Sequence, residues 1–188
     1  MKATRSGKPT REELLAAAGK TVPDVIAHGL HILFCGINPG LYTAVVGFHF
    51  ARPGNRFWPA LHAAGFTEKL FMPSAERDLL RRGYGITNVV NRATATAAEL
   101  SPEELRAGGK SLVSKVRRYR PRFLAVLGVG AYRAAFDCPQ ARLGRQDEKI
   151  GETVVWVLPN PSGLNAHYQP PQLARLFREL RLAAEEKT

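Results

Sequence analysis

His31-Ile32-Leu33-Phe34-Cys35-Gly36-Ile37-Asn38-Pro39-Gly40 decides how this chain is read. An apolar run leads straight into a turn of glycine, asparagine and proline. Apolarity without alternation suits a strand covered on both faces, as in a parallel sheet between helices. Val154-Val155-Trp156-Val157-Leu158 leads in the same way into Asn160-Pro161-Ser162-Gly163-Leu164. In an open α/β sheet, ligands bind outside the carboxyl ends of the strands. The two loops therefore read as opposite walls of one site.

Working outward, four strands are expected at 31–37, 86–90, 123–128 and 154–158, each short and rich in Val, Ile, Leu or Phe. Helices are expected between and around them. One spans Arg11 to Gly19 and another Asn55 to Ala64, with Phe57, Leu61 and Ala64 on one face. A third starts at the capping box Ser101-Pro102-Glu103-Glu104 and carries the stripe Leu105, Leu112, Val116, Tyr119. Gly108-Gly109 weakens its middle by about 1 kcal/mol per glycine. A C-terminal helix opens at Pro170-Pro171 and presents Leu173, Leu176, Phe177 and Leu180. The alternation predicts the α/β class, a three-layer α/β/α sandwich with a short, mainly parallel central sheet. Residues 1–20 read as a basic N-terminal arm (loose over 1–10) and short helix, and 21–188 as a single domain.

Lys and Arg outnumber Asp and Glu 27 to 16 in 188 residues, a net charge of +11. That balance favours a polyanionic partner, with nucleic acid first. No amphipathic basic helix promotes a membrane surface. The two cysteines, Cys35 and Cys138, form no CxxC or Cys/His cluster with metal-ligand spacing, so neither a metal nor a cofactor is expected. No signal segment or spanning run is evident. A soluble protein of a reduced cytoplasmic compartment is expected, associated with the nucleoid if the cell is bacterial.

In the first loop, Gly36 and Gly40 let the backbone turn and approach a ligand, and Pro39 stiffens the turn. Asn38 is then the polar side chain on offer. An amide holds a water through its oxygen and donates through its nitrogen, but takes no proton at neutral pH. Read alone, such an Asn equally caps a turn.

The longer stretch narrows the reading. Gly36-Ile37-Asn38-Pro39-Gly40-Leu41 continues into Gly47-Phe48-His49-Phe50-Ala51-Arg52-Pro53-Gly54-Asn55-Arg56-Phe57-Trp58. With Asn160-Pro161-Ser162-Gly163-Leu164, Ala107-Gly108-Gly109-Lys110 and Val126-Leu127-Gly128, it resembles the mismatch-specific uracil/thymine-DNA glycosylases of the uracil-DNA glycosylase superfamily. The likeness runs from about Val25 to Leu180 and omits the N-terminal arm.

The resemblance implies a catalytic domain in which Asn38 positions the water that attacks the anomeric carbon of a flipped deoxyuridine. Phe50 would stack on the extruded base, and Ile37 and Thr43 would line the pocket. Base flipping is a physical necessity, since the glycosidic carbon is inaccessible in a stacked duplex. For Phe50 the competing role is core packing. Leu164, between Gly163 and Asn165, would enter the gap left by the base as an apolar wedge. Backbone groups around Gly163, together with Asn165, would meet the orphaned partner base. Ala166-His167-Tyr168 departs from the basic residue expected after such a wedge.

Carboxylates are absent from 36–56 and 160–168. The better-known uracil glycosylases carry an Asp in the first loop and a His in the second, where this chain has Asn38 and Asn160. Slow chemistry is expected, driven by orientation and backbone donors. Asn91 replaces an acid common in the family. It reads equally as a second catalytic position or as a residue closing a strand. His49 and His167 read as surface or DNA-contacting histidines rather than substitute bases. Arg52, Arg56, Arg92 and Lys110 suit phosphate contact, which fixes register without reading sequence. Arg117-Arg118-Tyr119-Arg120-Pro121-Arg122 should face away from the site.

The expected function is a monofunctional, monomeric DNA glycosylase acting on uracil, or related lesions mispaired with guanine, in double-stranded DNA. No lysine in either loop offers a Schiff base. The rival is a weakened or inactive mismatch-binding protein. A nucleotide-binding Rossmann protein fails for want of a phosphate-binding glycine loop, Gly128-Val129-Gly130 being only a fragment.

Overall fold

The structure, a computed structural model, describes residues 7–186; residues 1–6 of the expected arm lie outside them. Among the described residues one sheet contains β1 (Ile32–Gly36), β2 (Tyr84–Asn88), β3 (Phe123–Leu127), β4 (Gly144–Ile150) and β5 (Thr153–Leu158). The order is β2-β1-β3-β5-β4, with the first four parallel and β4 antiparallel to β5. β1 and β3, side by side, lead to connections that diverge, so the crevice beyond their carboxyl ends is the topological switch point.

Period-two alternation divides the core. Ile32 and Phe34 face one layer, built on α3 (Phe57–Ala63) and α6 (Pro170–Glu185); Phe34 meets Phe57 and Phe66 edge-on and stacks over Phe177. Leu33 and Cys35 face the other, where Leu112 and Val116 of α4 (Pro102–Tyr119) meet Tyr132 of α5 (Val129–Phe136). Burial pushes the Cys35 thiol well above its usual range, so it behaves as an apolar filler. The expected three-layer α/β/α sandwich is the observed one.

Several boundaries move. The first helix, α1 (Arg11–Leu15), is shorter than expected: Thr10 and Glu13 close a capping box, and turns then carry the chain to Gly19. The second strand begins and ends two residues early; the N–H groups of Val89 and Val90 still donate to the Gly36 and Ile37 carbonyls, but the chain bends there as it leaves the sheet. The six-residue α2 (Leu41–Val46), α5, and a 3₁₀ helix at Pro73–Arg82 were not foreseen. Neither was β4, whose exposed Arg145, Asp147, Glu148 and Lys149 hide a strand pattern while protecting the sheet edge. The glycine pair of α4 has a packing reason. A Cβ at Gly108 would lie 2.4 Å from the Val89 carbonyl oxygen, and one at Gly109 would lie 2.1 Å from that of Ala135. The glycines bring α4 against the exit of β2 and against α5.

Candidate active site

A cavity of about 180 Å³ opens at the switch point, between the loop after β1 and the loop after β5. Ile37, Asn38, Thr43 and Phe50 all line it, as do Asn160 and Leu164 from the opposite wall.

Asn38 is held from behind. Its Nδ2 donates to the Arg92 carbonyl at 3.0 Å and to Thr94 Oγ1 at 2.7 Å. Thr94 Oγ1 itself donates to the Thr96 carbonyl at 2.7 Å, so toward Asn38 it can only accept. Both partners being acceptors, the amide cannot be flipped, and Oδ1 is the atom left for the cavity. The backbone repeats the clamp, with Thr94 N–H donating to the Pro39 carbonyl.

Phe50 answers both readings of it. Its ring stacks on Phe57 at 4.0 Å between centroids, joining the core, while it also lines the cavity. Its φ of +54° is left-handed, a strained value for an aromatic residue and one that recurs at ligand sites. Gly36 forms the floor. A Cβ there would lie 2.6 Å from Asn88 Oδ1 and 3.3 Å from the Phe50 ring. The register pairing Gly36 with Asn88 thus brings a buried amide to the cavity that the sequence reading missed. Asn91, expected as the second catalytic residue, is exposed and outside the cavity lining, because β2 ends three residues before it.

His49 is a further correction. It is 1% exposed rather than a surface residue, and it lines the cavity. Its Nδ1 lies 2.9 Å from Oε2 of Glu76, a carboxylate brought in from the 3₁₀ helix and likewise buried. No pattern within either signature loop could reveal that partner, 27 residues away.

The second loop is fixed through its backbone. Asn160 Oδ1 accepts from Ser162 N–H, and Asn165 Nδ2 donates to the Asn160 carbonyl. Asn165 Oδ1 accepts from His167 N–H, so its amide is occupied inside the loop rather than offered to an orphaned base. Arg56 donates to the carbonyls of Asn165 (3.0 Å), Tyr168 (2.7 Å) and Gly163 (3.3 Å). It is therefore the clamp between the two loops and not a phosphate contact. Gly163 packs on the first loop so closely that a Cβ would meet the Gly54 carbonyl oxygen at 2.4 Å. Above this frame Leu164 stands 72% exposed.

The remaining cations divide. Arg52 is exposed at the cavity rim, a fit for phosphate. Lys110 is exposed on α4, away from the cavity lining. Arg92 is committed to Glu104 at 2.5 Å and to the Glu99 carbonyl, which corrects its expected phosphate role. The Arg92 hydrogen bond holds the Glu104 carboxyl down at about 2. Arg117, Arg120 and Arg122 border a separate cavity at the amino ends of β3 and β5, opposite the site. Among the described residues no three His, Cys, Asp or Glu converge as a metal site, and no helix is long and apolar enough to cross a membrane.

Comparison with known proteins agrees with this architecture. The model of the family described as the uracil DNA glycosylase superfamily matches residues 23–181. A solution NMR structure from Methanosarcina acetivorans, described as a "putative Uracil DNA glycosylase", shares the fold. It is 19% identical, with a TM-score of 0.58, over 87% of this chain and 98% of that one.

Proposed function

We propose that this chain, which belongs to the uracil DNA glycosylase superfamily, flips uracil opposite guanine out of double-stranded DNA and hydrolyses its N-glycosidic bond. Thymine and related lesions in the same mismatch are candidate substrates, since a single methyl is discriminated by only about 1–3 kcal/mol. The observation that carries the reading is the Asn38 amide, locked through Nδ2 so that Oδ1 is left as the free atom of a side chain lining the same cavity as Phe50.

In this reading the extruded base slides against the Phe50 ring, with Ile37 and Thr43 around it and the Asn88 amide available to its polar edge. Asn38 Oδ1 accepts a hydrogen bond from a water and aims its oxygen at C1′. Leu164 fills the vacated place in the stack, and the carbonyls around Gly163 stay fixed by Arg56 beside the orphaned base. Water is the only nucleophile, so the product is an abasic site and no cofactor enters. The enzyme acts as a monomer, at the DNA of the cytoplasmic compartment. An inactive binding protein, the rival reading, would follow from the missing acid at Asn91, but that residue is exposed and lies outside the cavity lining.

Single-turnover release of uracil from a duplex with one uracil·guanine pair tests this. The wild-type chain should release uracil, and Asn38→Ala should fall by roughly 10²–10³-fold while melting within about 1 kcal/mol of wild type. Tight, salt-sensitive binding without release would instead support the non-catalytic module.

A further inference from the structure

His49 enters the cavity one residue before the stacking ring, and its two ring nitrogens are treated differently. Nδ1 lies 2.9 Å from Glu76 Oε2, and the backbone N–H of His49 donates to the same oxygen at 2.7 Å. The His49 carbonyl is held as well, accepting from Trp58 Nε1 at 3.1 Å. Residue and ring are thus fixed from behind. Nε2, in contrast, is buried and has no hydrogen-bond partner. A buried polar atom left unpaired is costly and rare, and it calls for a ligand that completes it.

We propose that His49 is a catalytic residue whose Nε2–H donates to a carbonyl oxygen of the extruded uracil, with Glu76 as its positioning residue. The inference rests on the glycosylase reading and deepens it. The charge balance of the pair favours a donor. Glu76 accepts a hydrogen bond from Nδ1–H; a ring that also carries a hydrogen on Nε2 makes the buried pair neutral as a unit. A bare Nε2 would leave an uncompensated carboxylate buried beneath the cavity. Arg52 is the other charged side chain lining the cavity and sits exposed at its rim.

During the reaction the C1′–N1 bond breaks and its electron pair leaves with the base, spreading over N1, O2 and O4. The oxygen of the water held by Asn38 bonds to C1′, and the surplus proton of that water goes to solvent. His49 enters this step as a hydrogen-bond donor. Its Nε2–H strengthens its bond to the oxygen as negative charge accumulates there, which is the electrostatic help that counts in a transition state. The released base anion is then protonated by solvent. The imidazole that the second loop lacks is supplied by a different segment, and the carboxylate absent from both loops comes from the 3₁₀ helix.

The test compares leaving groups. Single-turnover release from uracil·guanine and 5-fluorouracil·guanine duplexes is measured for wild type, His49→Ala, His49→Gln and Glu76→Gln, each checked by thermal melting. The 5-fluorouracil anion is intrinsically more stable and needs less help. His49→Ala should therefore slow uracil release by about 10²-fold and 5-fluorouracil release markedly less. His49→Gln, which retains an N–H donor, should recover part of the loss. Glu76→Gln should show a smaller loss with the same bias toward uracil, and it serves if His49→Ala does not fold. Equal losses on the two bases in folded variants, or no loss, overturn the inference while leaving the glycosylase reading intact. A wild-type chain that releases neither base overturns both.

Discussion

The two loops that face each other across the cavity are immobilised in opposite ways. In the first, the side chain is gripped: Asn38 is tied through its amide to Arg92 and Thr94 on the neighbouring segment. In the second, the backbone is gripped: Arg56 gathers three carbonyls while the Leu164 side chain stays exposed. The difference follows from the tasks. A residue that aims a water must hold one atom within tenths of an ångström, so its rotamer is fixed by hydrogen bonds. A wedge that enters a base stack needs a fixed base but a free side chain, whose burial is completed by DNA. The contrast can be broken one grip at a time.

Of the two grips, the first should show the larger effect, at Thr94. It is buried, and Thr94→Val keeps its volume while removing the acceptor that orients Asn38. Asn38 remains, yet it is held by the Arg92 carbonyl alone. Misplacement of a reacting group by about 1 Å costs on the order of 10²-fold, and single-turnover uracil release should fall by about that factor. An unchanged rate would mean that the first loop orients Asn38 without this clamp.

Arg56→Ala should act next, on the second loop. Three carbonyls lose a charged donor, and stability should drop by about 1.5–3 kcal/mol in a denaturant melt. Duplex cleavage should fall roughly tenfold because the loop no longer presents Leu164 in one place. Binding should keep its full salt dependence, since the guanidinium faces protein carbonyls rather than phosphate. A shallower salt slope would return Arg56 to the phosphate contacts.

Sequence made the first grip more legible than the second. The apolar runs of β1, β3 and β5 and the capping box of α4 announce themselves locally, so the layers and the location of the cavity could be read in advance. Asn38, Thr43 and Phe50 sit within one short stretch beside β1 and were found with it. What escaped depends on register or on distant pairing. Asn88 reaches the cavity only because Gly36 is its partner across the β1–β2 ladder. His49 becomes a buried cavity residue only when the polar 3₁₀ helix delivers Glu76 beneath it. Arg56 and Arg92 looked like phosphate ligands because an arginine beside a glycine-rich loop carries no mark of an internal partner. Their acceptors, Gly163, Asn165 and Tyr168 for one and Glu104 for the other, lie elsewhere in the chain. Polar β4 was missed for a related reason, as an edge strand is defined by its neighbour more than by its own pattern.

Leu164→Ala removes the free side chain of the second loop and leaves its frame alone. Being exposed, it should change stability by less than about 0.5 kcal/mol. Cleavage of duplex substrate should drop by several-fold up to about tenfold, the order expected for losing most of one leucine's burial. Single-stranded uracil substrate, which has no stack to repair, should be cleaved as by wild type. An equal loss on both substrates would assign Leu164 to the pocket wall it also lines.

The smallest effect separates the free cation from the committed one. Arg52→Ala should reduce the slope of log K against log salt by about 0.9, the signature of one lost phosphate contact. Arg92→Ala should leave that slope alone, because its guanidinium is paired with Glu104 and the Glu99 carbonyl. The consequence of Arg92→Ala lies instead in acid. In the folded chain the Glu104 carboxyl is lowered from 4.5 to about 2, so the stability it contributes is fully present above pH 4.5. That contribution is lost as pH falls through 2, when the carboxyl protonates in the folded state too. Without Arg92 the depression shrinks, and the variant should differ from wild type most above pH 4.5 and converge with it in strong acid. An Arg92→Ala variant with a reduced salt slope and an unaltered acid limb would reverse the assignment, making the ion pair incidental and the arginine a DNA ligand.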